Sequence, residues 1–254
     1  MMDTTRALHA SPMLVQQSRL FSALPTDLLE EMTRYFRAEE WPKGKLFDPE
    51  QLMTRFYILI DGQLELKRHN PENGRELTLD LLKPGDSFDV ITLLDGKPHE
   101  LIVSPLSPLK LIHAPIEVVR SWLWKYSELN RQFLPYLAAK MREQEDLATS
   151  LALHNITTRL SRLILKHIGK IKSYTGAKDQ EHRFHLISGL SDEVLARMVG
   201  SVRQVVNKQL QHWKQEGVLD KKRNQLLIND LEALREEAGV IERKFLTGSR
   251  QQRD

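Results

Sequence analysis

The chain of 254 residues contains no cysteine. Disulfides, thiolate zinc sites and cysteine-ligated iron–sulfur clusters are therefore excluded. Long hydrophobic runs are missing too: the longest candidates, such as residues 56–60 and 109–112, have the length of a strand, whereas about 20 residues are needed to span a bilayer. The first 17 residues lack the basic start and apolar block of a secretory signal. These absences predict a cytoplasmic protein with no membrane contact.

Enzyme signatures are also absent. There is no glycine-rich phosphate loop, no Gly-x-Ser-x-Gly elbow and no His-Glu-x-x-His pair. The lack of a kinase signature and of a membrane span disfavours a regulatory subunit of a kinase or channel. His182 and His185 are three residues apart but have no third ligand nearby. The sequence predicts neither an enzyme nor a metal site.

The composition is that of an ordinary folded protein. Hydrophobic residues make up 41% and charged residues 28% of the chain, which argues against extensive disorder. The length suffices for two modest domains. A formal net charge of +3 is only mildly basic and does not by itself indicate nucleic-acid binding.

Short strands separated by turns dominate residues 20–112, with helical patterns only at the start of this region. Residues 57–66 read as two strands joined at Asp61-Gly62, the second alternating apolar and polar side chains. Another alternating segment covers residues 75–81, and turns are expected at residues 83–86 and 95–98. Repeated strands at this spacing predict a β-sandwich or β-roll.

From residue 115 onwards the pattern becomes helical and includes a heptad-like repeat. Pro135 lies inside the repeat, so the helix is expected to begin or bend near residue 134. An amphipathic helix packed on its own domain is one interpretation, but the sustained 3.5-residue spacing favours pairing with a second subunit. The repeat consists of Asn130, Leu134, Leu137, Met141, Gln144, Ala148 and Leu151.

A second amphipathic helix is predicted over residues 155–168, beginning near Asn155 or Thr157. The polar stretch 173–181 is expected to be a loop. The chain after residue 239 ends in polar and glycine residues and is expected to be frayed.

The most informative segment predicts two short helices joined by a sharp turn. Ser191 is a suitable N-cap for the first helix, and acidic residues follow it in the first turn. Val194, Leu195 and Met198 or Val199 supply an apolar face, and Gly200 permits the turn. Ser201 is expected to cap the second helix. Its inward side is predicted to be Val205, Val206, Leu210 and Trp213.

The exposed side of the second helix carries side chains suited to reading DNA bases. Arginine can bond bidentately to guanine, and glutamine or asparagine to adenine. The serine at the N-terminus of the neighbouring helix is placed to hold a phosphate. The predicted base-facing residues are Arg203, Gln204, Asn207 and Lys208.

Residues 218–228 are expected to form a small β-hairpin with a basic tip of Lys221, Lys222 and Arg223. A winged helix-turn-helix that binds double-stranded DNA is one interpretation of this segment. The alternatives are a helical hairpin with a solvated polar face and a module that docks protein.

At this point the sequence resembles the Crp/Fnr family of bacterial regulators over roughly residues 20–230. The family's pattern is matched by Leu190-Ser191, Leu195-Ala196, Val199-Gly200, residues 203–208 and residues 216–219. Upstream, residues 57–62 resemble the Tyr-x-Ile-x-x-Gly hairpin of the family's β-roll, and residues 82–88 resemble its Leu-x-x-Gly-Asp-x-Phe turn. The resemblance implies a β-roll sensor, a long dimer helix and a winged DNA-binding domain.

The resemblance also implies roles for the second helix. Arg203 would read guanine. Gln204 stands where the family usually has glutamate, so base preference there should differ. Val202 replaces a serine and would lose one DNA contact, and Lys208 replaces an arginine and loses its bidentate fork.

The effector pocket departs from the family's cyclic-nucleotide pattern. Phe88-Asp89-Val90 replaces Gly-Glu-Leu, and its bulky first residue would crowd a ligand. His99-Glu100-Leu101 replaces Arg-Ser/Thr-Ala, which removes a full cation and adds an anion where the cyclic phosphate would lie. Gln144 and Glu145 occupy helix positions where hydroxyl residues are expected. The resemblance therefore implies that cyclic AMP is not the effector.

The sequence is compatible with several other classes of effector. Some members of the family bind haem, and His99, His113 and His154 are conceivable ligands, although lone histidines are usually surface or core residues. Other members bind organic acids or have no known ligand. Asp89, His99 and Glu100 are alternatively expected to form a polar cluster that seals a vestigial pocket. A cyclic-nucleotide-responsive regulator of the same fold is the remaining alternative.

Together these observations predict an α+β protein with an N-terminal jelly-roll-like β-roll, a long dimerisation helix and a C-terminal winged helix-turn-helix. The expected function is a transcription regulator that binds palindromic DNA as a homodimer and contacts RNA polymerase. The expected segments are an N-terminal tail (1–19), the β-roll (20–126), the dimerisation helix (127–154), the DNA-binding domain (155–238) and a C-terminal tail (239–254).

Overall fold

The computed structural model describes residues 9–167, 190–222 and 225–239. The chain divides into two compact units, residues 1–149 and residues 150–254. Four features singled out in the sequence lie outside the described residues: the predicted loop over 173–181, the histidine pair at 182 and 185, Arg223, and the tail after residue 239. Among the described residues, no helix has both the length and the apolar composition needed to cross a membrane.

The first unit contains two antiparallel sheets. One sheet has the strand order β1-β7-β2-β5 and the other the order β4-β3-β6. The strands are β1 (Arg37–Trp41), β2 (Arg55–Asp61), β3 (Leu64–His69), β4 (Glu76–Leu82), β5 (Ser87–Phe88), β6 (Ile102–Pro105) and β7 (Leu109–Pro115).

Side-chain alternation along β2 explains how its sheet is covered on both faces. Tyr57 and Leu59 point into a core shared with Leu64 and Val103 of the second sheet. Phe56, with Ile58, points to the opposite face and a different core. A strand buried on both faces reads as a continuous apolar run, as residues 56–60 do.

Helices cover the outer face of the four-stranded sheet. Their core includes Phe21, Met32, Trp122 and Phe133, and the rings of Phe21 and Trp122 meet edge to face. The helices of this unit are α1 (Pro12–Gln16), α2 (Thr26–Thr33), α3 (Glu50–Thr54), α4 (Val90–Asp95), α5 (Ile116–Lys125) and the greater part of α6 (Ser127–Leu153).

The two strands predicted around Asp61-Gly62 exist but do not pair with each other. β2 pairs with β5 and β7, whereas β3 pairs with β4 and β6. Gly62 has φ +98°, and a Cβ atom there would lie 2.5 Å from the carbonyl oxygen of Pro108. The glycine therefore lets the chain cross from one sheet to the other, and the expected hairpin is wrong.

Helices interrupt the strand region more often than the sequence predicts. α3 and α4 both lie between strands, although helical patterns were expected only at the start of this region. Each is short, with five and six residues, so neither gives enough repeats for a clear 3.6-residue period.

The long helix α6 begins at Ser127, the residue at which the dimerisation helix was expected to begin, and it continues through Pro135, so the helix does not start near residue 134. Leu129, Phe133 and Tyr136 pack into their own unit's core. Two seam residues, Leu134 and Met141, are 62% and 64% exposed. The helix thus buries one stripe in its own domain and leaves predicted seam residues on the surface.

The second unit contains a small helical core and a hairpin. Leu160, Leu195, Leu210 and Trp213 are buried there, and Asn155 caps α7 as predicted, its side chain accepting a hydrogen bond from the Thr158 N–H at 2.9 Å. The elements are α7 (Ile156–Lys166), α8 (Asp192–Met198), α9 (Arg203–Gln215), β8 (Leu219–Lys222), β9 (Gln225–Ile228) and α10 (Leu231–Glu237).

Candidate nucleic-acid interface and ligand cavity

The predicted pair of helices joined by a sharp turn is present as α8 and α9. Ser191 caps α8 through its hydroxyl, which accepts a hydrogen bond from the Val194 N–H at 3.4 Å. Asp192 and Glu193 occupy the first turn, where the helix dipole favours negative charge. Gly200 has φ +62°, the left-handed conformation that the turn between the helices requires.

The start of α9 differs in detail from the sequence prediction. Val202, and not Ser201, is the N-cap residue, and no side chain caps the helix. The Ser201 N–H instead donates to the Ala196 carbonyl at 2.8 Å, which fixes this residue in the turn. Val205 was expected to face inward but is 39% exposed, whereas Val206 is fully buried.

The four predicted base-facing residues share one exposed surface of α9. Arg203, Gln204, Asn207 and Lys208 are all exposed. At about 100° per residue they fall within an arc of roughly 140°. Val206, Leu210 and Trp213 are buried on the opposite side. The guanidinium, amide and ammonium groups are therefore presented together on the side of the helix facing away from the core.

The predicted wing is the hairpin of β8 and β9, in which Leu219 pairs with Ile228 and Lys222 with Gln225. Lys221 is not a free cation, because its ammonium contacts both carboxylate oxygens of Asp192 on α8. The side chain of Lys222 is outside the described part of the structure, as is all of Arg223. The Lys221 contact joins the wing to the N-terminus of α8.

A cavity of about 540 Å³ lies within the first unit. Its volume is in the usual range of small-molecule sites, roughly 300–1,000 Å³. Of the predicted pocket residues, it brings together Phe88, Asp89, His99 and Gln144. The apolar part of its lining includes Leu66, Leu79, Phe88, Val90, Ile91, Leu101, Leu137 and Met141.

The buried Asp89 and the half-buried His99 form a polar pair at the cavity wall. The His99 Nδ1 atom lies 2.9 Å from Asp89 Oδ1, and the Thr92 hydroxyl donates to Asp89 Oδ2 at 2.5 Å. Burial alone raises the pKa of Asp89, but the hydrogen bonds from His99 and Thr92 outweigh it and hold the pKa below its ordinary value. Asp89 is therefore an ionised, internally satisfied carboxylate.

Two predicted pocket residues lie elsewhere. The side chains of Glu100 and Glu145 are exposed and neither lines the cavity. Glu100 takes part only through its backbone carbonyl, which accepts from Arg68 Nε at 3.0 Å. The expected cluster of Asp89, His99 and Glu100 is thus reduced to its first two members, and it does not close the cavity.

The three histidines considered for haem are not assembled into one site. His99 lines the cavity, whereas His113 lies 3.7 Å from Glu39 Oε2. His154 is on the other unit and contacts Arg162. Phe88, which replaces the family's glycine, is buried with its ring stacked on Tyr57 at 5.2 Å.

Sequence reasoning missed two cations that line the cavity, Arg68 and Lys140. The spacing of each residue from buried neighbours on its own element indicates its position. Arg68 shares the two-residue period of the buried Leu64 and Leu66 on β3. Lys140 lies four residues after the buried Tyr136 on α6 and therefore on the same inward stripe.

Lys140 is paired within the cavity wall. Its ammonium lies 2.7 Å from Asp80 Oδ2 and 3.2 Å from Glu143 Oε2. Burial lowers the pKa of Lys140, but the charge of Asp80 outweighs it and holds the pKa above its ordinary value. The lysine is a cation whose charge is already compensated.

Two protein-family profiles match the chain. The profile of the cyclic nucleotide-binding domain matches residues 41–126, and that of the Crp-like helix-turn-helix domain matches residues 158–237. The CRP-like cAMP-activated global transcriptional regulator of Mycobacterium tuberculosis is 23% identical over 87% of this chain and 96% of its own length. The global nitrogen regulator of Synechococcus elongatus is 29% identical over 68% of this chain and 76% of its own length.

A solved structure shares the fold. The c-di-GMP-responsive global regulator CLP of Xanthomonas campestris superposes with a TM-score of 0.67 at 17% identity, covering 80% of this chain and 99% of that chain. The matched profiles, the relatives and the arrangement of α8, α9 and the wing agree with the expected α+β architecture. The chain belongs to the Crp/Fnr family, and it is a DNA-binding transcription regulator.

Proposed function

We propose that the protein binds palindromic DNA as a homodimer and reads each half-site with the first two turns of α9. The observation that carries the proposal is the joint exposure of Arg203, Gln204 and Lys208 on one side of a helix whose other side is buried. A helix of this kind fits the major groove with its N-terminal residues against base edges.

Each polar side chain is assigned a contact by its chemistry. Arg203 reads guanine through O6 and N7, and Gln204 and Asn207 are suited to adenine. Ser191, Ser201, Lys208 and the basic wing residues Lys222 and Arg223 contact phosphates, which fix the register without reading sequence. Val202 makes an apolar contact at most. Lys221 serves to hold the wing, since its ammonium is engaged by Asp192.

Pairing of two subunits is assigned to α6. The exposed Leu134 and Met141 support it, because large apolar side chains on a helix surface are typical of a contact face. The proposed seam also includes Leu137, Gln144, Ala148 and Leu151. Two copies paired this way present their α9 helices about one DNA turn apart, roughly 34 Å. We further propose that the dimer acts in the cytoplasm, contacts RNA polymerase and carries no catalytic activity.

Cyclic AMP is not the proposed effector, because the cavity's polar groups do not match it. A cyclic nucleotide presents phosphate, ribose and purine polar atoms, each of which needs a partner once it leaves water. Here Asp89 is already satisfied by His99 and Thr92. The side chain of Glu100, at the family's hydroxyl position, is exposed outside the cavity. Isothermal titration that gives a micromolar or tighter Kd for cyclic AMP would contradict this proposal.

The proposal is tested by selecting bound duplexes from a random library with the full-length protein and sequencing them. We expect two inverted half-sites whose centres are about 10 base pairs apart. Affinity for the selected duplex should fall steeply as salt rises, because bound lysine and arginine release counterions from DNA. If no motif is recovered and the affinity for DNA does not change with salt concentration, the result favours a module that docks protein.

Replacing Arg203 with alanine tests its assigned role directly. Arg203→Ala should abolish preference for the selected half-site, a loss of about 1–3 kcal/mol per half-site, and leave salt-sensitive non-specific binding. Competition gel shifts with selected and scrambled duplexes measure the preference. Arg235→Ala is the charge-matched control, since Arg235 lies on α10 in an ion pair with Glu232. Unchanged preference in Arg203→Ala would remove that residue from base reading.

A further inference from the structure

The charges that line the cavity are mostly compensated by one another. Lys140 pairs with Asp80 at 2.7 Å, and His99 pairs with Asp89 at 2.9 Å. Both carboxylates therefore have a cationic or hydrogen-bonding partner within the wall. These groups contribute structure to the cavity, and both carboxylates are already engaged by the wall.

Arg68 is different. Its Nε–H donates to the carbonyl of Glu100 at 3.0 Å, which fixes the plane of the guanidinium. Within the part of the chain that the structure describes, its two terminal nitrogens have no carboxylate partner, although the side chain lines the cavity and is exposed. A guanidinium presents its donors in a fork that matches a carboxylate.

The walls around this cation are largely hydrocarbon. Six of the apolar lining side chains come from four elements: Leu66, Leu79, Val90, Ile91, Leu137 and Met141. At the rim, Ile91 is 54% and Met141 64% exposed. Apolar surface at a cavity mouth is stabilised by contact with an apolar group.

An orphan hydroxyl lies in the same cavity. Ser87 lines it and is only 3% exposed, and its Oγ atom has no hydrogen-bond partner among the described residues. Leaving a buried hydroxyl unpaired costs about 1–3 kcal/mol. A ligand that brings a hydrogen-bonding group into the cavity would remove this cost.

We propose that the cavity binds an amphipathic monocarboxylate, with its hydrocarbon body against the apolar walls and its carboxylate on the Arg68 guanidinium. The regulatory meaning of this binding rests on the proposed function, but the binding itself does not. The ligand class follows from the groups left free among the described residues: a cation without a carboxylate partner, a hydroxyl without a hydrogen-bond partner and apolar walls. A ligand with several phosphates would bring more negative charge than Arg68 can neutralise.

Isothermal titration of the full-length protein with decanoate, decanol and cyclic AMP tests the proposal. Decanoate and decanol share a hydrocarbon chain, so their difference reports the carboxylate. We expect decanoate to bind at least about tenfold more tightly than decanol, since a charge-assisted bidentate contact is stronger than a neutral one. A negative heat-capacity change should accompany binding, because apolar surface is buried.

Arg68→Gln and Arg75→Gln separate a specific contact from general attraction. Arg75 is also exposed but does not line the cavity. Arg68→Gln should weaken decanoate binding about tenfold or more and leave decanol binding unchanged, whereas Arg75→Gln should bind both as the wild type does. Far-ultraviolet circular dichroism confirms that each variant is folded.

Three results would overturn the proposal: equal affinity for decanoate and decanol, decanoate binding that is insensitive to Arg68→Gln, and tighter binding of cyclic AMP than of decanoate. Gel shifts on the selected duplex, run on the same preparation, keep the two proposals distinguishable. Absent decanoate binding with an intact shift overturns the ligand site alone. Decanoate binding without any DNA shift supports the ligand site and overturns the proposed function.

Discussion

His113 is a half-buried histidine in a crowded part of the first unit. Its ring lies 5.5 Å from the ring of Tyr57, and its Nε2 atom is 3.7 Å from Glu39 Oε2. Burial, together with the positive charges of Arg55 and Arg37, lowers the pKa of His113 below 6.5, although Glu39 opposes the shift. The neutral ring is therefore favoured in the folded protein.

This shift predicts a pH dependence of stability. Below about pH 6.5 the unfolded chain takes up a proton that folded His113 does not, so the free energy of unfolding falls with decreasing pH. Above about pH 6.5 His113 is neutral in both the folded and the unfolded chain, so its contribution to the free energy of unfolding no longer changes with pH. His113→Gln should therefore lose less stability between about pH 7.5 and 5.5 than the wild type does.

Urea unfolding followed by tryptophan fluorescence measures this effect, because Trp41, Trp122 and Trp124, three of the four tryptophans, are in the first unit. His69→Gln is the control, since that side chain is exposed on the same unit. A pH dependence equal to the wild type in His113→Gln would show that the histidine does not contribute.

At the start of α9, two neighbouring residues exchange their expected roles. Serine is a strong N-cap, so the sequence favours Ser201. The backbone of Ser201 is instead held by Ala196 across the turn, and the cap falls on Val202. The Val202 side chain then accepts no hydrogen bond from the first N–H groups of α9. Groups of this kind are suited to a phosphate, which is consistent with the DNA contacts proposed for this end.

Among the larger elements, the wing depends on one ion pair. Lys221 of β8 contacts both oxygens of Asp192 at the start of α8, and the two side chains are only 17% and 14% exposed. Breaking a partly buried pair leaves the remaining charge without its partner. The contact fixes the wing against α8. It also engages the ammonium of Lys221, which is therefore not free to bind a phosphate.

Asp192→Asn should lower the free energy of unfolding by about 1–3 kcal/mol, because it leaves the Lys221 ammonium uncompensated. Denaturant unfolding of the full chain measures the change. Asp220→Asn removes the same charge from an exposed position on β8 and should change stability by less than about 0.5 kcal/mol.

A double-mutant cycle with Lys221→Met isolates the pair itself. A coupling energy near zero would mean that Lys221 and Asp192 do not interact. Lys221 would then be available for the phosphate contact that its position at the wing predicts from sequence.

The strands of the first unit illustrate what an alternating pattern specifies. Alternation in residues 64–66 and 75–81 predicts strands, and β3 and β4 are found there, although Glu65, expected on the exposed face, is fully buried. The pattern does not name the partner of a strand. β2 and β3 are adjacent in sequence but lie in different sheets, because the chain crosses between them at Gly62.

In the whole molecule, the proposed dimer depends on exposed apolar side chains of α6 such as Leu134. Leu134→Glu should weaken the proposed dimer, because a charge would be buried at the seam. Sedimentation at several protein concentrations should show a shift towards monomer. Binding to the two-half-site duplex should weaken with it, since each subunit contributes one half-site.

Ala139→Glu is the matched control on the same helix. Ala139 is also exposed, but at about 100° per residue it lies on the side of α6 opposite the seam. The Ala139→Glu substitution should leave both dimer association and DNA binding unchanged. A Leu134→Glu protein that sediments as the wild type does would move the proposed interface away from this stripe.

The order of the domains, the helix-turn-helix and the exposed surface of α9 can all be derived from the amino-acid sequence. These features depend on local rules: a serine cap at residue 191, a left-handed glycine at residue 200 and a 3.6-residue period that separates buried from exposed side chains. A local rule needs only neighbouring residues and can be read along the chain.

Three other features require the folded chain: the pairing of the strands, the ion pair of Lys221 with Asp192, and the cavity that Arg68 and Lys140 line together with Asp89 and His99. Each of these contacts joins residues that are distant in sequence. Charge compensation depends on distance in space, so a pattern along the chain does not reveal which cation is left free. For that reason the proposed ligand class follows from the packed domain, whereas the proposed DNA-reading face follows from the helix alone.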